Sequence, residues 1–212
     1  MAGIYIHIPF CRQACNYCNF HFTTSLLYKN ELIAALLKEV DIQRNYLDPD
    51  FIETIYFGGG TPSLLNISEL KSILNKLYDT FNVSENAEIT LEANPDDISE
   101  ESLVNWKTAG INRLSVGIQS FFQEDLLWMN RAHTAEQAER SLESATRYFG
   151  NLTIDLIYGT PLLTNERWKQ NVEKVLSFGI PHISCYALTI EPKTPLQKMI
   201  NTGKAENVNP DK

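Results

Sequence analysis

The 212-residue chain has no uncharged apolar run approaching the roughly 20 residues that cross a bilayer. Its opening, MAGIYIHIPFC, has neither a basic leader nor an extended apolar stretch, so no signal or transit peptide is expected. Lys and Arg number 18 against 26 Asp and Glu, a net charge of −8, and they form no cluster. A phosphate-backbone partner asks for a basic patch, so no nucleic acid is expected. Gly and Pro are sparse, 10 and 9, which excludes collagen-like and low-complexity classes. Cysteine is scarce too: of four, three fall within eight residues. That is no framework of paired disulfides, and grouped cysteines in a chain that reads as cytoplasmic are metal or redox ligands. About membrane contact the sequence is silent.

What is present is ordinary globular composition, 43% hydrophobic and 21% charged. Short β-branched or aromatic runs recur at Ile4–Ile8, Glu53–Phe57, Glu88–Glu92, Arg113–Ile118, Thr153–Tyr158 and His182–Leu188. Between them lie stripes of helical period: Leu32, Ile33, Leu36, Leu37 and Val40; Leu70, Ile73, Leu74 and Leu77; Leu103 and Trp106; Trp168, Val172 and Val175. Ser68, Ser99, Thr134 and Thr164 are helix-start signals, Thr134 with Gln137 as a capping box. Alternating strands and helices predict an α/β fold with a parallel sheet. Six strands are too few to close a barrel of eight. The expected architecture is an open partial (β/α)6 TIM-like barrel with parallel strands and outer helices, spanning residues 1–195. Residues 196–212 are expected to be a polar tail without a core contribution, frayed over about its last ten residues.

In parallel α/β folds ligands bind at the carboxyl ends of the strands. Strand one runs into the cysteine loop, and strand two into Gly58-Gly59-Gly60-Thr61-Pro62. Strand three ends in Glu92 and Asn94, strand four in Gln119, strand five carries Asp155, and strand six Tyr186 and Ala187. Polar groups and bare backbone thus gather on one rim beside the cysteines. Cys11, Cys15 and Cys18 are spaced C-x3-C-x2-C. Thiolates bind zinc and iron–sulfur clusters. A zinc site could recruit His21, and a four-cysteine cluster could recruit Cys185. Three ligands alone leave one iron of a cubane open to a small ligand.

The cysteine spacing after a first strand resembles the radical S-adenosylmethionine superfamily. A closer likeness rests on seven ordered motifs: Tyr5–Cys11, Cys15–Phe20, Gly58–Pro62, Glu92–Pro95, Ser115–Phe121, Asn130–His133 and Asp155–Pro161. They resemble the oxygen-independent coproporphyrinogen III oxidase-like family over residues 5–195. The resemblance implies a [4Fe-4S] cluster on Cys11, Cys15 and Cys18, with S-adenosylmethionine on the open iron. An electron from the cluster would then cleave the sulfonium to methionine and a 5′-deoxyadenosyl radical. It also implies Tyr5 near the methionine moiety and Gly59, Gly60 and Thr61 at the methionyl amino group. Glu92, Gln119, Arg131 and Asp155 would be polar contacts to S-adenosylmethionine, with Ala187 and Tyr17 near adenine. The decarboxylating oxidases resemble C-x3-C-x2-C-x-C, whereas here Phe20 stands in the last position. That variant is similar to the haem-chaperone branch, which implies haem delivery in place of porphyrinogen decarboxylation. The alternative is the oxidase itself, acting on a porphyrinogen. An electron donor such as flavodoxin or ferredoxin is implied in either case. Family members continue past residue 212 into a C-terminal helical region, where the haem-ligating His of the chaperone branch would lie.

Plainer roles compete. Glu92 could be a solvated strand-end carboxylate, and Gln119 and Asp155 partners of loop backbone. Arg131 could pair with Glu124 or Asp125, and Cys185 could be a small buried strand hydrophobe. His7, His21, His133 and His182 read as packed or hydrogen-bonded residues, and Trp106, Trp128 and Trp168 as core.

Overall fold

The β-branched runs become six parallel strands: β1 Ala2–Ile8, β2 Ile52–Gly59, β3 Val83–Ala93, β4 Arg113–Gln119, β5 Leu152–Tyr158 and β6 His182–Ala187. The fold comes from a computed structural model that describes residues 2–47 and 51–208. The strands form one sheet in sequence order, with β1 and β6 at its edges, so the barrel stays open as expected. Leu91 faces Leu114 across β3 and β4, and Ile154 faces Ile183 across β5 and β6.

Successive strand residues point to opposite faces. One face is apolar: Ile55, Phe57, Ile89, Leu91, Leu114, Val116, Ile118, Ile154 and Leu156 are each 2% exposed or less. They share a core with the stripes of α2 (Ile67–Thr80), α3 (Glu100–Ala109), α5 (Ala135–Tyr148) and α6 (Asn165–Ser177). Each fully buried Leu or Ile contributes about 2 kcal/mol. The helix α1 (Lys29–Ile42) buries only Ile33. The opposite face is polar, with Glu88, Thr90 and Glu92 on β3 alternating with Ile89 and Leu91.

Ser99, Thr134 and Thr164 cap α3, α5 and α6 as expected, Thr134 in a capping box with Gln137. For α2 the cap is Asn66, not Ser68. The Asn66 side chain accepts from the Glu69 N–H while the Glu69 carboxylate accepts from the Asn66 N–H, and the Ser68 hydroxyl only supports Asn66. Two further helices carry too short a pattern to be legible: α4 Gln123–Trp128 and α7 Pro195–Asn201. The second corrects the expectation of a tail outside the core. Leu196 is fully buried with Leu126, Met129, Ile157 and Leu188, and Thr194 caps the helix. The last four tail residues, 209–212, lie outside the described residues. Cys185 is also corrected: on the edge strand β6 it is exposed. Trp106 is buried, whereas Trp128 and Trp168 are half-buried against the cores. Among the described residues no helix is long and apolar enough to cross a membrane.

Candidate functional site

The carboxyl ends of the strands enclose a cleft of about 430 Å³, within the size range of small-molecule sites. The loop from β1 forms one wall and presents Cys11, Cys15 and Cys18 to it. That loop is held from outside. The Asn16 N–H donates to the Met129 carbonyl at 3.0 Å, and its side-chain amide to the Trp128 carbonyl at 2.7 Å. Asn130, at φ +56°, donates to the Ala14 carbonyl at 2.7 Å and accepts from Gln13 at 3.0 Å. The Leu196 N–H donates to the Asn16 carbonyl at 2.8 Å, so α7 clasps the same loop. At the first turn the Gly60 and Thr61 N–H groups donate to the Ile8 and Phe10 carbonyls. A Cβ on Gly60 would stand 2.7 Å from the Phe10 carbonyl oxygen, so glycine lets the β2 loop lie directly on the cysteine loop.

The opposite wall is acidic. Glu92 accepts from the Tyr56 hydroxyl at 2.9 Å and from the Gly59 N–H at 3.1 Å, so it is not a freely solvated strand end. Asp155 accepts from Ser115 at 3.3 Å. Burial raises both carboxyls, and they repel one another; Asp155 is pushed up to about 6. Arg131 supplies the positive charge between the walls. Its Nη2 donates to Asn94 at 2.7 Å and to the Gly117 carbonyl at 2.9 Å, and its Nη1 lies 3.4 Å from both Cys15 Sγ and the Tyr17 hydroxyl. It is therefore not the partner of Glu124 or Asp125; Arg167 is, at 2.9 and 4.0 Å. Burial pushes the Cys11 and Cys18 thiols up. Thiols held in that state surrender protons when they ligate a metal.

Tyr17, Gly59, Gly60, Thr61, Glu92, Gln119, Arg131, Asp155 and Ala187 line this cleft with the three cysteines. Tyr5 does not. It lies on the edge strand, half exposed, with its ring stacked on Tyr56 at 5.9 Å. Asn94 and Tyr186, read from the sequence only as polar strand ends on the rim, also line the cleft, and so does Ser115, which sequence reasoning singled out only as the start of a motif. Tyr56 acts from behind Glu92, and Asn16 and Asn130 act from behind the cysteine loop, with no signal in their spacing. Of the histidines, His133 is buried, donates to the Ile118 carbonyl at 3.1 Å and is pushed down to about 3 by burial. His7 donates to the His21 carbonyl at 3.0 Å, and His182 pairs with Thr153 at 3.2 Å.

The donor set fits a three-thiolate cluster with a ligand beside it. Cys185 and His21 do not line the cleft. Among the described residues no three His, Cys, Asp or Glu side chains, the three cysteines included, are grouped closely enough to hold a metal ion. The buried Arg131 Nε–H has no acceptor among the described residues, which suits a carboxylate, and two half-buried carboxyls in the same cleft suit an amino group or a sulfonium.

The family model described as the Radical SAM superfamily matches residues 5–175, and the chain belongs to that superfamily. Membership implies a [4Fe-4S] cluster and S-adenosylmethionine. Within it the chain is similar to the proteins named Heme chaperone HemW of Buchnera aphidicola subsp. Schizaphis graminum and of Bacillus subtilis. Identity is 34% to the first, covering 97% of this chain and 56% of the relative, and 35% to the second, covering 96% and 55%. The solved coproporphyrinogen III oxidase HemN from Escherichia coli superposes with a TM-score of 0.86 at 27% identity, over 97% of this chain and 48% of that one. The chain spans about half the length of the curated relatives it matches.

Proposed function

We propose that Cys11, Cys15 and Cys18 hold a [4Fe-4S] cluster, that S-adenosylmethionine binds in the cleft against it, and that the protein handles haem as a chaperone. The observation that carries this reading is the joining of three thiols, a half-buried guanidinium and two half-buried carboxyls in one cleft. When bound, the cluster supplies an electron to the sulfonium, the chemistry belonging to the cofactors rather than to the fold. The chain's own residues bind and orient. Arg131 meets the ligand carboxylate while bracing Cys15. Glu92, with the Gly59–Thr61 turn, takes the amino group. Asp155 and Gln119 hold the ribose side, and Tyr17 and Ala187 flank the adenine. Tyr5 serves the methionine end by packing Tyr56 behind Glu92. Phe20, 70% exposed and lining the cleft next to the thiol loop, favours haem delivery over decarboxylation. The 0.86 superposition on the oxidase favours the second reading, radical decarboxylation of a porphyrinogen. The cytoplasm is the compartment this reading assigns, since free thiols persist there. A small one-electron carrier such as flavodoxin or ferredoxin would supply the reductant.

Anaerobic reconstitution with iron and sulfide tests the cleft. The expected result is about four irons per chain, a paramagnetic spectrum that changes on adding S-adenosylmethionine, and loss of the cluster in Cys15→Ala. A single tightly held zinc, or a Cys15→Ala protein with unchanged iron, would overturn it. Haem binding and transfer by the full protein, against carbon dioxide release from coproporphyrinogen, separates the two functions.

A further inference from the structure

Four polar side chains are buried behind the β4 end of the cleft and take no part in lining it. Ser120, Asp125, Thr160 and Asn171 are each 1% exposed or less. The Ser120 hydroxyl donates to Asp125 at 2.8 Å and accepts from Asn171 at 3.3 Å, and Thr160 donates to the other Asp125 oxygen at 3.3 Å. Asn171 also accepts from the Phe121 N–H at 2.8 Å. The knot ties α4 and α6 to the backbone that follows β4. Buried polar groups of this kind are costly unless fully paired, and a core of similar shape would do without them. Asp125 and Asn171 lie outside every motif that points to the cleft.

Immediately before the knot, next to Ser120, stands Gln119. This residue sits at φ +66°, a conformation that costs a non-glycine residue about 1 kcal/mol or more and persists only where surroundings impose it. The β4–β5 register shifts between Val116 and Gln119, the mark of an irregularity that re-aims a side chain. The result brings the Gln119 amide over the bare backbone of Gly117, where a Cβ would stand 3.0 Å from its nitrogen and 3.3 Å from Arg131 Nη2. The strained residue is 8% exposed at the cleft wall, and the next residue along the chain is the centre of the knot.

We propose that Asp125 and Asn171 are positioning residues, remote from the cleft, that fix Gln119 in its left-handed conformation and so set the cleft's affinity for its ligand. The inference rests on the reading of the cleft as an S-adenosylmethionine site. The test is a double-mutant cycle with S-adenosylmethionine itself as probe, using the reconstituted protein. Gln119→Ala and Asn171→Ala should each weaken binding, by about tenfold. The double variant should bind no more weakly than Gln119→Ala, although Asn171→Ala lowers the unfolding midpoint equally in both backgrounds. Asp125→Asn, which keeps the volume and one acceptor, should behave as a milder Asn171→Ala and serves if the latter does not fold. Additive losses, or an Asn171→Ala protein that binds like wild type, would overturn the proposal. If wild type binds no S-adenosylmethionine the cleft reading fails separately. Amide exchange at Gln119 and Ser120, whose N–H groups Asn171 does not bind, then decides: faster exchange there in Asn171→Ala supports the positioning role, and a change limited to Phe121, which loses its acceptor directly, defeats it.

Discussion

The two faces of the one sheet are built from the same strands and obey different rules. On β3, Ile89 and Leu91 turn to the helices and are sealed, while Glu88, Thr90 and Glu92 turn to the open side of the barrel. The helix-covered face is held by area removed from water, which is indifferent to which branched side chain supplies it. The open face is held by pairings that each name a partner: Tyr56 on Glu92, Ser115 on Asp155, Arg113 on Thr90 and Thr153. Below the cleft this polarity continues into a second hollow of about 510 Å³, lined by Thr90, Arg113 and His182 among others. Barrel interiors of this class are usually packed with branched apolar residues. An open polar face is therefore carried for its contents, and the covered face carries the stability.

The comparison breaks first under large-to-small substitution. Leu114→Ala, on the covered face, should cost about 3 kcal/mol while the folded fraction still binds S-adenosylmethionine with near-normal affinity. Its β4 neighbour Ser115→Ala, on the open face, should change stability by about 1 kcal/mol or less and weaken ligand binding about threefold to tenfold, by loosening Asp155. Denaturant unfolding and equilibrium binding on the two variants check both. If Ser115→Ala proved the more destabilising of the two, the division of labour between faces would be wrong.

A pH series sharpens the same contrast. Asp155 keeps its proton to about 6 in the fold and loses it near 3.8 as an ordinary carboxyl, chiefly because it is buried. The empty protein therefore binds more protons than the unfolded chain over that interval, and its stability falls as pH rises from about 4 to about 6. A cation in the cleft favours the ionised form, so affinity for S-adenosylmethionine should rise as pH climbs through about 6, by up to about tenfold per unit below it. Asp155→Asn should flatten that rise, as read by equilibrium binding between about pH 5 and pH 7. A slope that survives in Asp155→Asn would move the titration to another group.

How much of this was legible follows from the two faces. The covered face writes itself into the sequence as periodicity, so all six strands and the stripes of four helices could be read, and the strand ends on the rim with them. Composition alone could not distinguish a sealed strand from an edge strand, which is why Cys185 reads as buried and is exposed. A short helix carries too few turns for a stripe, so α4 and α7 were invisible, and Leu196 with them. The cleft residues were found through motifs. Their supports, Tyr56, Asn130 and Asn171, act across roughly 36, 116 and 50 residues of chain, and spacing says nothing about such pairings.

The smallest effect belongs to the helix starts, and it tests whether the covered side is as separable as argued. Asn66 closes a reciprocal capping box with Glu69, and Ser99 does so with Ser102. Removing either cap by alanine should cost about 1 kcal/mol. The caps are not equivalent in position. Asn66 begins α2 directly after the turn through Thr61, which touches both the cysteine loop and Asn94. Ser99 begins α3 directly after Asp97, which pairs with Arg12 inside the cysteine loop at 2.8 Å and with Ser63 at 2.7 Å. If stability and site were separate, both variants would unfold more easily and bind unchanged. Because each cap follows a turn that touches the cysteine loop, Ser99→Ala and Asn66→Ala should also speed release of iron from the reconstituted protein by a small factor, whereas Thr164→Ala, whose side chain caps α6 through the Arg167 N–H, should not. Equal iron retention in all three would confine the caps to the fold and leave the loop to its direct holds, Asn16, Asn130, the Gly60–Thr61 turn and Leu196.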